Sequence, residues 1–153
     1  MSLRLLLVED DPAVRLSLAE TLADEGFDVR IADSGEQALN RLHDEAPEIV
    51  LSDVRMPGVD GLQLLSLLRQ RAPAVDVILM TAFEDMPTVA RAMREGAFDF
   101  LVKPLELNAL RDVLRRVVED RAARGGGGSE RPQEYRLDQL VGRDARMIEI
   151  LSD

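Results

Sequence analysis

The sequence predicts an α/β domain, a (βα)5 doubly wound sheet of five parallel strands with helices on both faces. Three observations predict it. Apolar runs of strand length recur five times, each followed by a stretch whose apolar residues fall three or four apart. The runs are rich in Val, Ile and Leu, the pattern of strands buried on both faces. The connections are short and carry helix caps and glycines where such turns need them.

The first strand is expected over Leu3 to Val8, and Asp11-Pro12 then supplies a capping carboxylate before a proline at the first helical position. Val14, Leu18 and Leu22 form the spine of the first helix, and Gly26 closes it. Phe27 to Ala32 reads as the second strand, with Ala38, Leu39 and Leu42 as the spine of the helix after it. The third strand, Ile49 to Leu51, runs toward Asp53; Pro57-Gly58 suits the centre of a type II turn. Asp60-Gly61 opens the third helix, with its spine at Leu62, Leu65 and Leu68. Val75 to Met80 is the fourth strand, and Val89 and Met93 mark the fourth helix, which ends before Gly96. Phe98 to Val102 is the fifth strand, and Pro104 prevents its continuation. Leu107, Leu110, Leu114 and Val117 space the last helix, whose Arg111, Arg115, Arg116, Glu119, Asp120 and Arg121 are expected on its exposed face.

The compact domain is expected to span residues 1–124 of the 153. Residues 125–136, opening with four glycines and a serine, have flexible-linker composition, and residues 137–153 are too short for a core of their own. A net charge of −10 argues against direct nucleic-acid binding, and aromatic residues at 3% leave no stacking platform for bases. The absence of cysteine excludes disulfides and thiolate metal sites, and a single histidine excludes a histidine-based zinc site. Without a leader-like start or an apolar run of spanning length, a cytoplasmic location is expected and no membrane partner.

In open parallel sheets ligands bind at the carboxyl ends of the strands. Strand one ends in Glu9, Asp10 and Asp11, strand three in Asp53, strand four in Thr81 and strand five in Lys103. Lys103 is the only lysine among nineteen Lys and Arg residues. Clustered carboxylates repel one another unless a cation compensates them. Magnesium suits such a set, because it takes one or two carboxylates and leaves positions open for phosphate oxygens. Asp11 is expected to cap the first helix, leaving Glu9 and Asp10 to face the metal with Asp53. A carboxylate in that place can accept a phosphoryl group when nearby cations neutralise the incoming charge.

Glu9-Asp10-Asp11, Asp53 followed by Met56-Pro57-Gly58, Thr81-Ala82 and Lys103-Pro104 together resemble the receiver domain of two-component response regulators, over residues 3 to about 122. That resemblance implies a flavodoxin-like strand order of 2-1-3-4-5 and phosphorylation of Asp53 by a sensor histidine kinase. It implies Mg²⁺ held by Glu9, Asp10, Asp53 and the backbone carbonyl of Arg55, with Thr81 and Lys103 contacting the phosphoryl group. Phe100 matches the aromatic switch, and a homodimer is implied through helix four, strand five and helix five. Such a domain regulates and is not itself an enzyme, although it assists its own phosphorylation and dephosphorylation.

Leu140 to Met147 is similar to the opening of the AAA+ ATPase module of sigma-54-dependent activators of the nitrogen-regulator class, so the chain reads as a receiver attached to the start of a truncated ATPase. No Gly-x-x-x-x-Gly-Lys-[Ser/Thr] loop is possible, because the one lysine precedes proline. Two other readings are a stand-alone receiver that relays phosphate or controls a partner, and an aspartate-nucleophile phosphohydrolase. The latter usually needs a second acid where Arg55 stands.

Overall fold

The structure, a computed structural model, describes residues 2–82 and 85–124, so the expected linker and the ATPase-like segment lie outside the described residues. The strands are β1 (Arg4–Val8), β2 (Asp28–Ala32), β3 (Ile49–Asp53), β4 (Asp76–Thr81) and β5 (Asp99–Val102). They alternate with α1 (Pro12–Asp24), α2 (Gly35–Glu45), α3 (Gly61–Arg71), α4 (Met86–Arg94) and α5 (Leu107–Ala123). All strand pairs are parallel, in the order β2-β1-β3-β4-β5. The chain divides within α5, after Arg115, into two compact units. The first holds the sheet; in the second, Val117 and Arg121 are buried and Arg124 pairs with Asp120 at 3.0 Å.

Burial follows strand position. Every residue of β3 and β4, inside the sheet, is buried, whereas β2 and β5 at its edges are partly open. One apolar cluster joins Leu6, Val8, Val50, Val77 and Leu79 of the sheet to Leu64, Leu65 and Leu68 of α3. Each leucine buried in this way contributes about 1.5–3 kcal/mol relative to exposure, which is why α3 lies on the sheet although its last turn, Arg69-Gln70-Arg71, is polar. At the sheet edge, Arg41 donates to the Ile31 carbonyl of β2, covering an acceptor that would otherwise invite another strand.

Helix starts are fixed by side chains. Asp11 Oδ1 accepts from the amides of Ala13 and Val14 at 2.9 and 3.3 Å, as expected from Asp11-Pro12. Asp60 and Gln63 cap α3 reciprocally: Asp60 Oδ1 accepts from the Gln63 amide at 2.8 Å, and Gln63 Oε1 accepts from the Asp60 amide at 3.0 Å. Asp60→Ala is therefore expected to lower stability by about 1 kcal/mol, read as a fall in the urea midpoint at unchanged slope.

The third strand continues from its apolar run, Ile49 to Leu51, to Asp53, which ends it as expected and inherits the rigidity of the sheet. Other expectations are corrected. Leu18 and Leu22 of α1 are buried, but Val14 is 37% exposed. In α5 Leu110, Val113 and Leu114 are buried, whereas Leu107, at the first position of the helix, is 44% exposed. A periodic pattern identifies the inward face of a helix but not how far along that face the sheet extends. Arg121, expected on the open face, is buried, which its long aliphatic stem permits.

Candidate functional site

Three strand ends converge. Asp53 ends β3, Glu9 and Asp10 follow β1, and Lys103 follows β5. Ligand oxygens of Glu9, Asp10 and Asp53 all lie within 4.8 Å of one another. Glu9 and Asp53 are buried and Asp10 is exposed, so the cluster has a closed floor and one wall open to water. Lys103 Nζ donates to Asp53 Oδ2 at 2.6 Å and to Glu9 Oε1 at 3.3 Å, joining residues fifty and ninety-four positions apart in the chain. The Arg55 amide donates to the other Asp53 oxygen, Oδ1, at 3.2 Å.

The supporting contacts are mostly backbone. Glu9 Oε2 accepts from the Asp11 amide at 3.1 Å, and Arg15 Nη1 of α1 donates to the Glu9 carbonyl at 2.8 Å. The Lys103 amide donates to the Thr81 carbonyl at 2.8 Å, which holds the lysine to the end of β4. The Val54 amide donates to the Met80 carbonyl and the Gly61 amide to the Val54 carbonyl, at 2.9 and 2.8 Å, fixing the loop after Asp53. That loop passes so close to α3 that a Cβ on Gly61 would stand 2.7 Å from Val54 Cα and would press on the Asp53 carbonyl oxygen. Gly61→Ala is expected to lower stability by about 2 kcal/mol through overpacking against backbone that cannot move aside, measured by urea unfolding.

Electrostatics follow from this packing. Burial raises the Glu9 carboxyl above its ordinary range; the Asp53 charge adds to the rise, while the Asp11 amide and Lys103 oppose it. Burial alone would pull the Lys103 ammonium down, but its hydrogen bond to Asp53 and the charges of Asp53 and Glu9 hold it above the ordinary lysine range. The donor set is made wholly of hard oxygens, one of them on an exposed residue, and this fits a small divalent cation of the magnesium type.

Of the residues expected from the sequence, the structure brings Glu9, Asp10, Asp53 and Lys103 together directly. Thr81 ends β4 beside Val102, is almost fully buried, and its hydroxyl donates to the Ala82 carbonyl at 3.2 Å. Phe100 is half-buried on β5, opposite Leu79. Arg55 reaches the site through its amide, and its side chain makes a contact that sequence reasoning missed. Its Nε and Nη2 donate to Asp85 Oδ2 and Oδ1 at 2.7 and 2.5 Å. A bond across thirty residues leaves no local signature; the available signal was an acid in capping position just before Met86-Pro87. Arg15 was missed for a similar reason, since its acceptor is a backbone carbonyl.

Comparison with known proteins agrees with this geometry. The chain is 49% identical to the response regulator protein FleR of Pseudomonas aeruginosa over 116 residues, covering 76% of this chain and 24% of FleR. It is 38% identical to the DNA-binding transcriptional regulator NtrC of Escherichia coli over 112 residues, or 73% of this chain and 24% of NtrC. The chain thus spans about a quarter of the length of these curated relatives. Among solved structures, the receiver domain of NtrX from Brucella abortus superposes with a TM-score of 0.71 at 33% identity, covering 75% of this chain and 98% of that one. No described helix is long and apolar enough to cross a membrane. Residues 5–115 match the family described as the response regulator receiver domain, and to that family this chain belongs.

Proposed function

We infer that this domain is a phosphorylation switch in which Asp53 accepts a phosphoryl group from a sensor histidine kinase. The observation that carries this reading is the Lys103 ammonium 2.6 Å from Asp53 Oδ2, beside a cluster of three carboxylates. In the transfer, a carboxylate oxygen of Asp53 forms the new O–P bond as the donor's P–N bond breaks, and the imidazole leaves with that electron pair. Lys103 holds the carboxylate in place beforehand and meets an oxygen of the phosphoryl group afterwards. Glu9, Asp10, Asp53 and the Arg55 carbonyl would hold Mg²⁺, which when bound neutralises charge on the phosphoryl oxygens. Thr81 supplies a hydroxyl from the adjacent strand end, and Phe100, half-buried on β5, is the aromatic that responds.

The switch acts by population shift. A phosphoryl group brings about −1.5 to −2 charges and three acceptor oxygens to a buried carboxylate, which biases the loops around it between two arrangements. The output is homodimerisation through α4, β5 and the part of α5 up to Arg115, controlling an attached sigma-54-dependent activator. Two things support that output: the similarity to NtrC, a DNA-binding transcriptional regulator, and the resemblance of residues 140–147 to an activator ATPase. A stable acyl phosphate with slow turnover, and not a phosphohydrolase, is the chemistry consistent with Arg55 standing two residues after Asp53. The test is incubation with Mg²⁺ and acetyl phosphate followed by intact mass. A gain of one phosphoryl group is expected, and a mass unchanged with saturating donor would overturn the assignment.

A further inference from the structure

Three helices begin with a side chain that caps them from extended backbone. Asp11, Ser34 and Asp60 have ψ angles of 115°, 162° and 178°, and each accepts amide hydrogen bonds from the first turn of its helix. Asp85 occupies the same place before α4 and is as good a capping residue by type. It does not cap. Its backbone lies at φ −96° and ψ 19°, outside the extended region, and its side chain makes no capping hydrogen bond. Instead both of its carboxylate oxygens accept from the Arg55 guanidinium, in the paired geometry that is the strongest arginine–carboxylate contact. The burial of this acid is itself unusual without such a partner, and the guanidinium is what holds its carboxyl below the usual carboxylate range.

Arg55 is tied to both ends of the mechanism. Its amide donates to Asp53 and its guanidinium holds the start of α4. The guanidinium is itself largely exposed. A single carboxylate therefore has two incompatible uses: clamped to the loop that carries Asp53, or turned into its own helix. Pro87 has no amide hydrogen, so the amide it would accept from as a cap is that of Thr88.

We propose that Arg55 and Asp85 form an exchangeable latch: a phosphoryl group on Asp53 draws the guanidinium away, and the released Asp85 carboxylate turns to cap α4, resetting the start of that helix. This rests on the reading of Asp53 as the phosphoryl acceptor. The competition is between a carboxylate of one negative charge and a phosphoryl group of about two, two residues from Arg55. The coupling needs no new contact between distant groups, only a change of partner by one arginine and of backbone ψ at one aspartate. That is a two-state element of the kind an interface on α4 can sense.

Hydrogen exchange of α4 peptides, followed by mass spectrometry on the whole chain, separates the two uses of Asp85. Without phosphodonor, Arg55→Ala removes the latch but leaves the cap available, whereas Asp85→Ala removes both. Exchange in the first turn of α4 is expected to be about fivefold faster in Asp85→Ala than in Arg55→Ala, the size of a lost N-cap. Arg55→Lys, which keeps the charge without the fork, is expected to resemble Arg55→Ala. Addition of Mg²⁺ and acetyl phosphate is expected to move wild-type α4 toward the Arg55→Ala pattern. Identical α4 exchange in the two alanine variants would overturn the latch, and so would an α4 response to phosphodonor that is the same in Asp85→Ala as in wild type. Intact mass of the same wild-type samples tests the acceptor separately: with no adduct the acceptor reading fails, while the comparison of unphosphorylated variants still decides whether Asp85 alternates between latch and cap. Thermal melts of each variant confirm that the exchange is read on folded protein.

Discussion

Asp53→Asn is expected to abolish phosphoryl incorporation from acetyl phosphate while leaving the fold intact. The amide oxygen that replaces the carboxylate carries no full negative charge and is a poor nucleophile toward phosphorus, whatever its position. Position is nevertheless retained. Asp53 is the last residue of a strand buried on both faces, and asparagine has the same shape, so the Arg55 amide keeps an acceptor. Lys103 keeps Glu9 as an ionic partner at 3.3 Å and exchanges a charged acceptor for a neutral one at Asp53. Weaker cation binding follows from the loss of one of three clustered carboxylates, and is read as a smaller Mg²⁺-induced rise in melting temperature. Intact mass of wild type and variant, exposed side by side to Mg²⁺ and acetyl phosphate, gives the answer. If the variant gained the same phosphoryl group at the same rate, the acceptor would be another residue.

Much of this arrangement was legible in the chain because its determinants are local. Five apolar runs gave five strands, and the residue types at their ends, Glu9, Asp53, Thr81 and Lys103, are placed by the parallel sheet on one rim. The caps at Asp11 and Asp60 were visible for the same reason, since a cap and its helix are adjacent in sequence. What could not be read is the choice made by a side chain with two possible partners. Asp85 has the local signature of a cap, yet its carboxylate goes to an arginine thirty residues away. Exposure at helix ends was equally illegible. Val14 and Leu107 satisfy an apolar pattern but lie open, because the length of helix that the sheet covers is a property of the assembled layers.

Lys103→Met is expected to lower stability by about 3 kcal/mol at neutral pH without Mg²⁺, since it leaves a nearly fully buried Glu9 beside Asp53 with no cation between them. The methionine keeps the length of the stem, so the loss is electrostatic and has a pH signature. Glu9 already binds its proton more tightly in the folded state than its ordinary value of 4.5, through burial first and the Asp53 charge second, against the Asp11 amide and Lys103. Removing Lys103 removes an opposing influence and raises that proton affinity further. A folded state that binds more protons than the unfolded one loses stability as pH rises, so the variant weakens from 4.5 upward until Glu9 is fully ionised. Below 4.5 Glu9 is neutral in both states and its share of the difference between variant and wild type closes. Wild type is affected at the other end of the scale: the raised Lys103 contributes fully below 10.5 and its contribution is lost as pH climbs through its higher folded value. Added Mg²⁺ takes the place of the missing ammonium, so the variant is expected to gain more stability from it than wild type does. Urea midpoints at several pH values, with and without Mg²⁺, measure all three effects. Equal midpoints for the two proteins across that range would show that Lys103 does not neutralise this cluster.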